Sequence, residues 1–220
     1  MRRLWFPIAL GVLGVAVLCA LGTWQLRRLA WKEGALARID ARIAAAPVGL
    51  PASPDPEDDL YLPVAVTGAL GGEEVRVLTS LAGEGPGYRV ISVLTTGDRR
   101  VLADLGFVPE AGADAPRTVP AVAITGNLHW PDEADSWTPA PEGPLWFARD
   151  VGAMAETLGT EPVLVVARSI DPPLGTTPLP VTSEGIPNDH AVYAATWFGL
   201  AAAWAAMSAL LIRRTLRRTA

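Results

Sequence analysis

An uncharged run stands near each end of this chain, and those two runs limit what it can fold into. From Leu4 to Leu26 there are 23 residues without a charge, and between His190 and Arg213 there are 22. At about 1.5 Å of rise per residue, either run covers a hydrocarbon core of about 30 Å. The spacing therefore predicts two membrane-spanning helices, over 4–26 and 190–212. Arg2 and Arg3 precede the first run, and Arg213, Arg214, Arg217 and Arg218 follow the second. Basic residues favour cytoplasmic loops, so both termini are expected in the cytoplasm, with 213–220 as a basic tail, and the middle of the chain on the other side. Arg27, Arg28 and Lys32 count against that orientation, but a long acidic domain translocates regardless of them. A cleaved signal peptide competes, because Ala20-Leu21-Gly22 is a passable small-x-small site, yet the apolar run is long for one. A lipid anchor at Cys19 is weaker, with Leu18 where a small residue belongs.

Composition narrows the chemistry. Cys19 is the only cysteine, so no disulfide, CxxC pair or thiolate metal site forms within one chain. Lys and Arg number 18 against 23 Asp and Glu; with the six terminal arginines set aside, 12 basic residues face 23 acidic ones, a balance of −11. Such a middle repels nucleic acid, and no nucleic-acid partner is expected.

Residues 27–46 continue the first span as an amphipathic helical extension, with Leu29, Leu36, Ile39 and Ile43 at helical spacing. Four prolines between 47 and 56 and the acids at 55 and 57–59 then make an acidic linker that opens a β-rich domain, 47–187. Short runs of Val, Ile, Leu and Thr predict strands at 61–70, 74–81, 88–95, 99–108, 119–128 and 163–170, with a short helix over 151–158. Val64-Ala65-Val66-Thr67-Gly68-Ala69-Leu70 is echoed by Val122-Ala123-Ile124-Thr125-Gly126-Asn127-Leu128. The echo is consistent with equivalent strands of a small barrel and equally with convergent strand chemistry. In the loop 128–150, Trp130, Trp137, Trp146 and Phe147 either present a membrane or partner surface or fold onto the strands. The fold class expected is an α+β membrane protein: two transmembrane helices flanking a β-rich, small barrel-like extracytoplasmic domain.

Soluble-enzyme motifs are missing: no GxSxG, P-loop, GxGxxG or HExxH occurs. Glu57, Asp58 and Asp59, and likewise Asp132, Glu133 and Asp135, read as solvated runs. The spans carry more information. His190, preceded by the helix N-cap types Asn188 and Asp189, heads a stripe with Tyr193, Trp197, Ala201, Trp204 and Ser208. Ala194, Ala201, Ala205 and Ala209 beside it leave a narrow surface, for close helix packing or for a flat ligand. Trp24, Arg28 and Trp31 share a face of the first helix at the same boundary. An imidazole for iron, flat aromatic neighbours and a cation for propionates are what a haem needs. An interfacial aromatic belt with Arg28 as a flanking anchor uses the same residues, and the residues alone favour that belt.

The segments GTWQLRRLAWKE at 22–33 and NDHAVYAATWFGLA at 188–201 resemble the two signature segments of the Surfeit locus protein family, the cytochrome c oxidase assembly factors. Gly87-Tyr88-Arg89-Val90, the run from Val101 to Pro109, Trp130-Pro131 and the run from Trp146 to Asp150 follow the family's pattern in its order. The resemblance implies a two-span protein of the bacterial inner membrane with a periplasmic β-rich domain and no turnover. It also implies transient binding of haem a, received from haem a synthase and handed to oxidase subunit I, within membrane lipids. In that implied site His190 is the iron ligand, and Tyr193, Trp197, Trp24 and Arg28 are the cofactor-binding neighbours. The alternative is a scaffold that binds oxidase subunits through the tryptophan loop without touching haem; an enzyme of haem or quinone modification finds no acid, base and metal set. One departure stands out. The family commonly has Arg before the glycine of its central motif, where this chain has Asp104-Leu105-Gly106.

Overall fold

Two long stretches without charge become two long helices, α1 (Trp5–Ile43) and α3 (His190–Thr219). This computed structural model of the chain describes residues 5–219, with side chains through 217. The expected flanking Arg2, Arg3 and Leu4, the side chain of Arg218, and Ala220 lie outside the described residues. Among those described, the chain divides into two units: 5–38 with 183–219, and Ile39–Thr182. Both helices are long and apolar enough to cross a membrane.

The expected span and its extension are one uninterrupted helix of 39 residues, about 58 Å long. In the helical unit α1 and α3 lie antiparallel on a seam of glycines. A Cβ added at Gly11 would come within 3.0 Å of Ser208, at Gly14 within 2.2 Å of the Trp204 indole nitrogen, and at Gly22 within 2.8 Å of the Phe198 ring. Gly11, Gly22, Ala194 and Ala201 are buried, so that part of the narrow surface serves close helix packing, as small residues do between apolar helices, while Ala205 and Ala209 are exposed.

The other unit is a mixed sheet of β1 (Pro63–Leu81), β2 (Gly85–Thr96), β3 (Arg99–Pro109), β4 (Thr118–Leu128), the two-residue β5 (Leu145–Trp146) and β6 (Leu164–Asp171), with helix α2 (Val151–Leu158) before the last strand. β1 pairs with both β2 and β4, and the ladder runs β1-β2-β3-β6-β4 back to β1. Two strands were expected over 61–81, and one is found. Gly71 and Gly72 break the register between Leu70 and Glu74 without ending the strand, since glycine takes the bulge conformation at φ +87°. The first part of β1 serves β4 and the rest serves β2.

The echoed segments are direct antiparallel neighbours, with Val66 opposite Ile124, Val64 opposite Gly126 and Gly68 opposite Val122. The shared glycine has a physical reason. A Cβ at Gly68 would lie 2.3 Å from the Thr95 carbonyl oxygen, and one at Gly126 2.2 Å from that of Val166. Each lets the next strand's backbone press across the pair.

Side chains alternate between two apolar clusters, as the two-residue period of a strand requires. Val90, Val101, Ala103, Leu105, Val165 and their neighbours fill one; Ile91, Leu102, Leu164 and Val166 face Trp146 and Met154 in the other, under α2. The α2 helix starts where the sequence places it because the Asp150 carboxylate accepts from the Ala153 N–H, 3.0 Å away. Of the loop aromatics, Trp146 is core at 5% exposure, Trp130 donates to the Pro162 carbonyl at 2.8 Å, and Trp137 is 89% exposed.

Gly126→Ala should destabilise the sheet domain by about 1–3 kcal/mol through overpacking against Val166. Gly49→Ala, whose Cβ meets nothing within 4 Å, should stay within about 0.5 kcal/mol of the parent. Urea midpoints of the full chain in detergent, read by near-ultraviolet circular dichroism, compare the two.

Candidate functional site

In the helical unit His190 begins α3, and its first turn is closed by the Tyr193 N–H donating to the Asp189 carbonyl at 3.1 Å. The Asn188 side chain does not cap the helix as its type led us to expect; its Oδ1 is shielded and has no partner among the described residues. His190 is half-buried, and its Nδ1 lies 2.8 Å from Oε1 of Gln25 on α1. Gln25 is 9% exposed, a polar side chain within an apolar helix surface, where an unbonded amide would cost about 1–3 kcal/mol. Three glycines bring the helices close enough for the pair to form.

The other expected site residues are distributed around this pair. Trp197 is half-buried on the stripe that faces α1, while Tyr193 is 55% exposed and Trp24 57% exposed. Arg28 is exposed and stacks its guanidinium 4.1 Å above the centre of the Trp31 ring. The structure thus brings His190 to Gln25 and Arg28 to Trp31, and leaves Trp24 and Tyr193 as exposed flat faces at the same end of the helix pair. No group of three or more His, Cys, Asp or Glu able to hold a bare metal ion occurs among the described residues.

A second polar cluster lies within the sheet domain. Asp104 on β3 is 1% exposed. Its carboxylate accepts from Arg89 Nε on β2, from Arg149 Nη1 at 3.3 Å and from the Gly106 N–H at 3.0 Å. Arg89 also donates to the Leu179 carbonyl at 2.7 Å. Arg149 continues to Glu133, donating from Nε to both oxygens at 3.1 Å. Two guanidiniums and two carboxylates therefore balance. Burial acts to raise the Glu133 carboxyl, but the hydrogen bonds and charge of Arg149 outweigh it and hold it below its ordinary 4.5. His129, stacked on Tyr61 with ring centres 5.5 Å apart, is pushed from 6.5 down to about 4 by burial, followed by the charge of Arg149. Leu105 is fully buried in the apolar interior, and the cations that meet Asp104 come from Arg89 and Arg149.

A family model described as the SURF1 family matches residues 12–202. The chain belongs to the SURF1 family. Surfeit locus protein 1 of Rattus norvegicus is 31% identical over 229 residues, covering 90% of this chain and 72% of that protein. The Homo sapiens protein of the same name is 31% identical over 230 residues, covering 90% and 74%. Cytochrome oxidase assembly protein SHY1 of Saccharomyces cerevisiae is 29% identical over 161 residues, covering 65% and 41%. The resemblance read from 22–33 and 188–201 is borne out, and both segments lie within the matched stretch.

In this SURF1 family member, sequence reasoning missed two things. Gln25 was seen only as part of a motif, although an uncharged amide on the glycine face of a span is a visible sign of a partner across the seam. Glu133 read as part of a solvated run; its side chain is exposed, and it also pairs with Arg149. The sign for that cluster was Asp104 inside an apolar strand run, since a buried carboxylate requires cations.

Asp104→Ala leaves the part-buried Arg89 guanidinium without a carboxylate and Arg149 with Glu133 alone, and should cost about 3–5 kcal/mol in urea unfolding of the full chain. Stability should also follow His129. Its folded pKa is depressed, so the unfolded chain binds more protons between pH 6.5 and about 4. Stability is therefore whole above 6.5 and declines as the pH falls through that window; the Glu133 contribution goes only below 4.5. Unfolding midpoints against pH should lose the upper part of that slope in His129→Phe.

Proposed function

We propose that the chain is an assembly factor for haem-copper cytochrome c oxidase that binds haem a transiently and hands it to oxidase subunit I. Membership of the SURF1 family, with a relative named a cytochrome oxidase assembly protein, supports the assembly role. The observation that carries the haem reading is the 2.8 Å bond between His190 Nδ1 and Gln25 Oε1, which commits one ring nitrogen to the protein and leaves Nε2 as a donor. A neutral imidazole oriented through its other nitrogen is the ligand that haem iron takes. Trp197, Tyr193 and Trp24 offer flat apolar faces, and Arg28 a cation for a propionate. Haem is cargo here, so the protein performs no turnover, and a single axial histidine gives an affinity low enough for release.

In this reading α1 and α3 span the bacterial inner membrane with both termini cytoplasmic, and the circuit of strands is a small barrel on the periplasmic side. Haem a synthase is the donor and subunit I the acceptor. A scaffold without haem is the second reading, favoured by Trp137, whose ring is 89% exposed on a turn held by Asp135. Trp146, which shared that role in the sequence reading, is core and unsuited to contact.

The full chain purified from cells that make haem a should carry its optical spectrum, and His190→Ala should lose most of it. Equal haem content in the two would end the role of His190. If Trp137→Ala abolishes co-purification with subunit I while His190→Ala leaves oxidase haem content normal, the scaffold reading takes its place.

A further inference from the structure

An amide oxygen has lone pairs and no hydrogen, so a bond from an imidazole nitrogen to Oε1 requires that nitrogen to carry the proton. With Oε1 as the atom that meets Nδ1 in the 2.8 Å contact between Gln25 and His190, this rule puts the proton on Nδ1 and leaves the lone pair on Nε2. That is the reverse of the tautomer a neutral histidine side chain prefers in water. The bond is fixed from both sides. Gln25 is 9% exposed and stands one helical turn beyond Gly22, against which the Phe198 ring packs. His190 is the first residue of α3, held by the turn that Asp189 and Tyr193 close. Turning either side chain away would break that bond and leave the Gln25 amide, 9% exposed, to find another partner.

We propose that Gln25 is a positioning residue that locks His190 in the Nδ1–H tautomer and so presents Nε2 as the unprotonated donor to haem iron. The choice of an amide follows from a carrier's task. A carboxylate in this place would draw the Nδ1 proton towards itself, raise the basicity of Nε2 and tighten the iron bond. A neutral amide orients the ring without that strengthening, which leaves the haem releasable. The iron part rests on the haem reading of His190; the tautomer is a property of the protein alone and is measured without haem.

Long-range proton-nitrogen correlation spectra of the full chain in detergent, grown with ring-labelled histidine and kept at alkaline pH, report which nitrogen of each imidazole is protonated. His129 and His190 are the only two histidines, and the signal lost in His190→Gln assigns the second. The wild-type chain should show His190 protonated at Nδ1, Gln25→Leu should move it towards the Nε2–H form, and Gln25→Glu should restore Nδ1–H. Haem a titrations of the same proteins should show affinity about tenfold weaker in Gln25→Leu and at least as tight as wild type, with slower release, in Gln25→Glu. An Nε2–H form in the wild type, or a tautomer unchanged by Gln25→Leu, would overturn the inference, and the wild-type spectrum decides even if that variant fails to insert. Should the tautomer follow Gln25 while no variant binds haem a, the positioning role stands and the haem reading falls. Should haem bind through His190 with the tautomer indifferent to Gln25, the outcome is the converse.

Discussion

A carboxylate taken wholly out of water must be met by cations, and in the sheet domain Asp104 imposes that requirement on everything around it. Arg89 from β2 and Arg149 from the approach to α2 converge on it, and the Gly106 N–H completes its shell. Arg89 then reaches the Leu179 carbonyl, in the segment between β6 and α3, and Arg149 reaches Glu133 in the tryptophan loop. Removing one member leaves a buried charge without its partner, which is why such clusters are costly to break even when an apolar replacement of the whole would be tolerated. The three motif segments that seemed separate in the sequence, around Arg89, Asp104 and Arg149, meet in this one cluster. Leu105, where the family commonly has Arg, fills the apolar interior, and the cations that meet Asp104 are Arg89 and Arg149.

The same rule operates in the helical unit with neutral groups. Between two apolar helices there is little hydrophobic drive to associate, so contact depends on close packing and on the few polar groups that find each other. Gly11, Gly14 and Gly22 supply the closeness, and Gln25 with His190 supplies the bond. A residue that alone would read as one more interfacial histidine has its ring oriented by the amide opposite.

Much of the architecture was legible in the residues. Both long helices, the short α2 with its Asp150 cap and most of the strands follow from runs, periods and turn residues, because local chemistry and final structure agree there. The errors have particular causes. Gly71-Gly72 reads as a turn, but glycine also permits a bulge, and only the two partners of β1 decide between them. Trp146 and Glu133 lie in a loop whose composition is that of solvent-exposed chain; the burial of Trp146 under α2 and the pairing of the exposed Glu133 with Arg149 depend on residues elsewhere in the sequence. The stripe through His190, Trp197, Ala201, Trp204 and Ser208 was visible from spacing, but the partner of His190 lies 165 residues away and no periodicity on α3 points to it. Trp24, Arg28 and Trp31 share a face by spacing, and the stacking of Arg28 on Trp31 agrees with it.

For the protein as a whole, these features describe two long apolar helices that meet at a hydrogen-bonded imidazole, and a β-rich domain built around one buried carboxylate. The account turns on delivery. The direct measurement is the ratio of haem a to subunit I polypeptide in oxidase isolated from cells that lack this chain, from cells with it restored, and from cells carrying His190→Ala. Under-loaded subunit I without the chain, full loading with the wild type and persistent under-loading with His190→Ala are predicted. Fully loaded subunit I in cells lacking the chain would contradict the account.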